Sequence, residues 1–260
     1  MPQFDHDGAS LHYEIRGEGP PLLLIAGIAS DGASWGPLLP LLPERQLILI
    51  DNRGSGQSRV AGPIEVEEMA GDCAALLDHL GLEAVDVVGH SLGGTIGLMF
   101  AVGHPERVRR LVTMTSGSIS AAGRVLFHDM ARLYFTMVPE DWFRLLFQWL
   151  FSDPFFADEA NVSAAAAAST GYAFRQSPGD FARQVAAIDR VGPVDLSRVA
   201  CPVLAISAER DLLAPKASVA SLHRAVPGVR YATIAGAAHS VHWEKPAETA
   251  AAINGFLRGS

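Results

Sequence analysis

Short apolar runs alternating with segments of helical period constrain the fold of this chain more than any other feature. Leu11–Arg16, Leu22–Ala26, Leu47–Ile50, Val85–Val88, Val108–Met114, Val203–Ser207 and Tyr231–Ile234 have the length and the leucine-rich or β-branched character of strands. Helical period over Val66–Leu80, Leu92–Val102, Pro215–Ala225 and Pro246–Leu257 separates the later ones. A strand that is apolar throughout needs cover on both faces. The pattern therefore implies a mostly parallel sheet between two helical layers, joined by right-handed crossovers. Little more than a turn joins the first two strands, and both are expected to run antiparallel to the rest.

One stretch breaks the alternation. Residues 117–190 contain no strand pattern and read as several helices, including the alanine run Ala164–Ala168. They hold 13 of the 20 Phe, Trp and Tyr residues, where an even spread would place about 6. Such an excess between two strands is expected of an apolar helical cap, inserted into a core formed by 1–116 and 191–260. Trp142, Phe143 and Phe147 are candidates to line a pocket beneath it. Packing of the cap onto the core accounts for aromatics that do not.

Composition removes whole classes of function. With 260 residues, 49% hydrophobic and 18% charged, the chain is globular rather than disordered or coiled-coil. Its net charge of −8 argues against a phosphate backbone or an anionic membrane surface as partner. The apolar stretches are too short, or too interrupted by Arg144 and Gln148, to cross a bilayer. No cationic, apolar leader opens the sequence, so a cytoplasmic location is expected. Cys73 and Cys201 lack CxxC spacing and histidine partners, and read as small core residues rather than a disulfide or zinc site.

The chemistry concentrates at Val87-Val88-Gly89-His90-Ser91-Leu92-Gly93-Gly94, where an apolar strand gives way to a helix. Gly-x-Ser-x-Gly is weak as a bare string. At a strand-to-helix turn it gains meaning. Small neighbours let the serine adopt a strained backbone that lifts its hydroxyl above the strand ends, and the helix N-terminus aims N–H groups at any oxyanion formed there. A serine hydroxyl attacks only when a base takes its proton and a third group orients that base. Asp211, in the loop after Val203–Ser207, and His239, in Gly236-Ala237-Ala238-His239 after Tyr231–Ile234, stand in the order Ser, Asp, His at the carboxyl ends of parallel strands.

These motifs resemble the α/β-hydrolase fold family over essentially the whole chain. Gly89 to Gly94 is similar to the family's nucleophile elbow, and Asp51-Asn52-Arg53-Gly54-Ser55-Gly56-Gln57-Ser58 to its Asp-x-Arg-Gly-x-Gly-x-Ser loop. His104-Pro105-Glu106-Arg107-Val108 resembles the segment before its sixth strand, and His239 to Pro246 its C-terminal histidine loop. The resemblance implies a mostly parallel eight-stranded sheet flanked by helices with an inserted helical cap. It implies catalytic roles for Ser91, Asp211 and His239, and an oxyanion hole made by the backbone N–H groups of Ile28 and Leu92. It implies no cofactor and no metal. In one departure, Ala26-Gly27 stands where the family has His-Gly, so the loop carrying Ile28 needs a different support.

His242 could replace His239 as base, and Glu209 could replace Asp211. His90 reads as a packed, hydrogen-bonded residue, and Asp51 and Arg53 as a structural pair or loop cap. A serine at the elbow excludes the branches of the fold that need a carboxylate there, such as haloalkane dehalogenases. The expected reaction is acyl transfer to water on a small-molecule ester or lactone with an apolar part. Arg124, Arg132, Arg144 and Arg175 are candidates to meet a substrate carboxylate. Carbon–carbon bond hydrolysis of a vinylogous diketone, cofactor-free perhydrolysis and ligand binding without turnover are the alternatives.

Overall fold

The computed structural model describes residues 2–259. Nine strands form one sheet: β1 (Gln3–His6), β2 (Ala9–Arg16), β3 (Pro21–Ile25), β4 (Gln46–Ile50), β5 (Arg59–Val60), β6 (Val85–His90), β7 (Val108–Met114), β8 (Val203–Ala208) and β9 (Arg230–Ile234). Eight lie on a continuous path in the order β1-β2-β4-β3-β6-β7-β8-β9, and the two-residue β5 pairs with β2 outside it. From β4 to β9 every pairing is parallel.

The antiparallel expectation holds for β2, which opposes both β1 and β4, but not for β3, which runs parallel to β4 and β6. A short turn reverses the chain, so β2 and β3 must oppose each other, and only one of them can oppose the rest. The turn achieves this with Gly17 and Gly19 at φ +74° and +121°. A Cβ at Gly19 would also collide with the Glu44 carbonyl. The edge strand β1 escaped the sequence reading because four residues with a single buried side chain carry little apolar signal.

Both faces of the sheet are covered, as continuous apolar strands demand. Leu23, Ile25, Ile48 and Val87 face one layer with helices α1 (Val66–His79) and α2 (Leu92–Gly103). Leu22, Leu24, Leu49 and Val88 face the other, with Trp35, Leu38 and the C-terminal helix Pro246–Leu257. Cys73 and Cys201 are both free and buried. No helix among the described residues is long and apolar enough to cross a membrane.

Between β7 and β8 lie α3 (Ala121–Tyr134), α4 (Pro139–Leu150), α5 (Asp153–Phe156), α6 (Glu159–Gly171) and α7 (Pro178–Arg190). Local chemistry starts them: the Ser120, Asp158 and Ser177 side chains accept N–H groups of the first turns of α3, α6 and α7, and Pro139 and Pro178 occupy first helical positions. In α4, Trp142, Phe143, Leu146 and Phe147 share one buried face at i, i+1, i+4 and i+5. They pack with Met130, Tyr134, Phe181 and Val185 in a separate apolar cluster. Gln184 of α7, fully buried, donates to the Arg53 carbonyl at 2.7 Å and to Ser55 Oγ at 3.0 Å, tying the helices to the sheet layer.

The last helices are α8 (Lys216–Leu222), α9 (Val241–Glu244) and α10 (Pro246–Leu257). The helix expected over Pro215–Ala225 is thus shorter: Pro215 caps α8, and His223–Ala225 tightens into a 3₁₀ turn.

Candidate active site

Ser91 sits between the end of β6 and the first turn of α2 with φ +53° and ψ −117°, a conformation that costs a non-glycine residue about 1–3 kcal/mol. The surroundings hold it there. Its N–H donates to the Met114 carbonyl at 2.8 Å, and its carbonyl accepts the Ser116 hydroxyl at 2.8 Å and the Gly94 N–H at 3.0 Å. The glycines are needed: a Cβ on Gly89 would strike the Gly93 carbonyl, one on Gly93 the Ile25 carbonyl, and one on Gly94 the Ser116 hydroxyl. As the first residue of α2, Leu92 has an N–H without an intrahelical partner.

Asp211 and His239 meet above the ends of β8 and β9. His239 Nδ1 lies 2.9 Å from Asp211 Oδ2 and 3.1 Å from Oδ1, with both residues buried. Asp211 Oδ1 also accepts the N–H groups of Leu213 and Ala214 at 2.8 and 2.9 Å. Burial alone would raise this carboxyl, but the adjacent His239 and the two N–H donors outweigh it and hold the carboxyl below its ordinary value. An ionised Asp211 accepts at Nδ1, so the neutral imidazole carries its proton there and leaves Nε2 as the basic nitrogen.

Two further histidines pack beside this pair. His90 Nε2 donates to the His239 carbonyl at 3.1 Å, which also accepts the Thr115 hydroxyl at 3.0 Å. Burial, with His239 next to it, pushes His90 down to about 3. His242 stacks edge-on against His90, with ring centroids 4.5 Å apart, and packs against Trp35. Burial, with His90 and His239 nearby, keeps it well below the usual range, and its Nδ1 is a buried atom without a hydrogen-bond partner. Of the two candidate bases, His239 is the one facing a carboxylate. Glu209, the rival acid, instead accepts the Gly236 N–H at 2.7 Å from an exposed position.

The loop after β3 brings Ile28 to the same place. A side chain at Gly27 would press on Ser91 Cβ at 3.2 Å, a measure of how closely the loop passes the serine. Asn52 Nδ2 donates to the Ala26 carbonyl at 2.8 Å, and the Ala29 N–H donates to Gln176 Oε1 at 3.1 Å. Asp51 accepts Gly32 N–H, Gln57 N–H and His12 Nδ1, each at 2.9 Å, whereas Arg53 pairs with Asp72 and Glu68. Asp51 is therefore a loop cap. The expected pairing of Asp51 with Arg53 is not formed, because the two side chains leave the turn toward different partners.

Ser91, His239 and Ile28 line a cavity of about 600 Å³. Its far wall is apolar: Phe127, Phe143, Phe147, Phe151, Phe155 and Phe181 come from the helices between β7 and β8. Trp142 is absent from this lining. It stacks on Tyr134 at 3.8 Å, donates from Nε1 to the Met130 carbonyl, and borders a smaller cavity of about 290 Å³ with Asp31, Tyr172, Arg175 and Gln176. Three of the four candidate arginines are engaged on the outside: Arg124 with Asp189, Arg132 with Asp129 and Arg144 with Glu159. Arg175 bonds the Thr170 carbonyl. Among the described residues, no group of three or more His, Cys, Asp and Glu side chains is arranged to hold a metal ion.

Asn52 and Gln176, which hold the loop after β3, and His242, which lines the cavity, are not marked as such by the sequence pattern. Asn52 lies inside a motif already singled out. Gln176 is an isolated amide in a loop and carries no local signal.

Comparison with known proteins agrees with this architecture. The family model described as the alpha/beta hydrolase fold matches residues 20–246. A protein of Azorhizobium caulinodans named as the carbamate hydrolase RutD is 33% identical over 244 residues, 92% of each chain. The protein of that name from Escherichia coli O157:H7 is 31% identical over 224 residues, 81% of this chain and 80% of its own. Among solved structures, the enol-lactonase of Burkholderia xenovorans LB400 superposes with a TM-score of 0.88 at 24% identity, over 99% of this chain and all of that one. The nine-stranded sheet, the strand-to-helix turn at Ser91 and the family match over most of its length place this chain in the α/β-hydrolase fold family.

Proposed function

We propose that this protein is a serine hydrolase that cleaves a carboxylic ester or lactone through an acyl-enzyme on Ser91. The observation that carries the reading is the convergence, in one cavity, of a strained Ser91 at a helix N-terminus and of His239 with its Nδ1 on Asp211. In the reaction, His239 Nε2 takes the hydroxyl proton as Ser91 Oγ attacks the carbonyl carbon, closing to hydrogen-bond distance of about 2.6–3.2 Å. Negative charge develops on the carbonyl oxygen, and in this reading the N–H groups of Ile28, in the cavity wall, and of Leu92, next to Ser91, are its donors. Losing one such donor costs about 2.7–4 kcal/mol of transition-state stabilisation. Asp211 stabilises the imidazolium, which then protonates the leaving oxygen. Water deacylates Ser91, with His239 again taking the proton, and the carboxylic acid departs.

Residues 117–190 act as a cap in this reading, keeping water from the reacting carbonyl and offering a phenylalanine-lined wall to an acyl or alcohol chain. The volume of about 600 Å³ supports a substrate larger than an acetyl ester. A second reading, a carbamate as the acyl donor, is favoured by the relatives that bear that name. It uses the same residues but leaves much of the apolar wall idle.

Covalent labelling by a fluorophosphonate probe tests the nucleophile. Wild-type protein is expected to label and Ser91→Ala to stay folded and unlabelled; a labelled Ser91→Ala protein overturns the proposal. Initial rates on p-nitrophenyl acetate through octanoate, a γ-lactone and a p-nitrophenyl carbamate then separate the two readings. kcat/KM highest on a medium-chain ester or lactone supports the first, and highest on the carbamate the second.

A further inference from the structure

We propose that Gln176 is a positioning residue for the reaction: its side chain clamps the loop that carries the Ile28 N–H, so the cap segment sets the geometry of the oxyanion hole. The inference rests on the acyl-enzyme reading above. It answers how the loop is supported where the family's His-Gly is replaced by Ala26-Gly27.

Ala29, one residue past Ile28, has φ +60°, in the left-handed region that costs an alanine about 1–2 kcal/mol. Its N–H donates to Gln176 Oε1 at 3.1 Å, across 147 residues of sequence. The amide of the same side chain is fixed at its other end. Gln176 Nε2 donates to the Gly54 carbonyl at 2.9 Å and to Ser55 Oγ at 3.4 Å, on the loop after β4. Gln176 is 7% exposed, and both ends of its amide are engaged, so its rotamer is fixed by partners on two separate core loops.

The clamp is itself anchored in the cap. The Tyr134 hydroxyl donates to the Gln176 backbone carbonyl at 3.0 Å, and the Tyr134 ring stacks on Trp142 at 3.8 Å. A continuous line of contacts thus runs from the aromatic cluster of α3 and α4 through Gln176 to the residue next to the oxyanion donor. On the other side of the loop, Asn52 holds the Ala26 carbonyl. With Gln176 removed, the Ala29 N–H loses its acceptor and the segment Gly27–Ala29 is held by Asn52 at Ala26 and by apolar packing of Ile28 and Ala29; an oxyanion donor displaced by about 1 Å loses on the order of 10²-fold in rate.

Gln184 supplies an internal control. It also ties α7 to the Arg53–Ser55 turn, and its hydrogen bonds go to that turn rather than to the loop bearing Ile28. A cap that was merely loosened would respond alike to loss of either glutamine.

The experiment measures kcat and KM on p-nitrophenyl butyrate, together with Ki for a butyl boronic acid, a tetrahedral mimic, in Gln176→Met, Gln176→Glu, Tyr134→Phe and Gln184→Met. Thermal melts confirm that each is folded at the assay temperature. Gln176→Met is expected to lower kcat by about tenfold to a hundredfold, with KM within about threefold, and to raise the boronate Ki by a similar factor. Gln176→Glu keeps an acceptor for the Ala29 N–H and should recover part of that loss. Tyr134→Phe should shift kcat the same way but less, and Gln184→Met should leave kcat within about twofold. A Gln176→Met enzyme with unchanged kcat, or one whose loss is matched by Gln184→Met or lies in KM alone, overturns the clamp. Turnover retained in Ser91→Ala instead overturns the acyl-enzyme reading, and this inference with it.

Discussion

His239 Nδ1 and Asp211 Oδ2 lie 2.9 Å apart in a buried contact between the ends of two adjacent parallel strands, whereas His242 Nδ1 is buried without a hydrogen-bond partner among the described residues. In the proposed reaction this contact holds the tautomer in which Nε2 is the base. Asp211→Asn should therefore lower kcat by about 10⁴ with little change in KM, the effect of presenting the wrong tautomer. Glu209→Gln, which only weakens the acceptor for the Gly236 N–H, should cost less than about tenfold. Steady-state kinetics on one ester decide between them, and the opposite ranking would move the acid to Glu209.

His239→Ala should lose nearly all turnover, whereas His242→Ala should retain most of it. His242 fills space between His90 and Trp35, so its loss should appear as stability, with a denaturation midpoint lower by the equivalent of about 1–3 kcal/mol. Activity surviving in His239→Ala but not in His242→Ala would reassign the base.

The aromatic residues of α4 divide by position. Phe143 and Phe147 line the large cavity, and alanine at Phe147 should shift the preferred acyl chain to greater length while sparing acetate turnover. Trp142 is fully buried and stacked on Tyr134. Trp142→Ala should therefore destabilise the protein by about 3–5 kcal/mol. Chain-length profiles and urea melts on the same variants check both; an unaltered profile in Phe147→Ala would make it a packing residue.

Asp31 predicts a pH dependence of stability. Burial, and then the neighbouring Asp51, push its carboxyl up to about 6, against hydrogen bonds from Tyr172 and the Ala33 N–H and the pull of His12. The folded state therefore holds a proton that the unfolded chain releases near 3.8, and stability falls as pH rises between about 4 and 6. Above that window the penalty is fully present, roughly 3 kcal/mol at 1.36 kcal/mol per pH unit. Asp31→Asn keeps a cap acceptor for Ala33 and removes the charge, so it should be more stable than wild type at pH 7 and show a flatter profile. Urea denaturation at pH 4, 5, 6 and 7 measures this; identical slopes in both proteins would rule it out.

Part of the fold was legible from local pattern because each signal spans a few adjacent residues. The unbroken apolar run Leu22 to Ile25 marks a strand covered on both faces, and Pro246 marks the first helical position of α10. The turn at Ser91 needs glycines at fixed offsets, so it too is written locally. The orientation of β3 and the edge strand β1 were not, since strand direction follows from which neighbour is paired and not from the run itself.

The sequence by itself determined the layered α/β architecture, the helical stretch between β7 and β8, and the order of Ser91, Asp211 and His239 at the ends of β6, β8 and β9. These follow from periodicity, turn chemistry and the rule that parallel strands present their carboxyl ends together. Only the tertiary structure decided that Asp211 faces His239 while Glu209 holds a turn, that Arg53 leaves Asp51 for Asp72, that Trp142 packs away from the large cavity, and that Gln176 grips the Ala29 N–H. Each is a single contact between residues far apart in the chain. A lone side chain has no period and no neighbour to mark it, so its partner exists only once the sheet has brought the loops together.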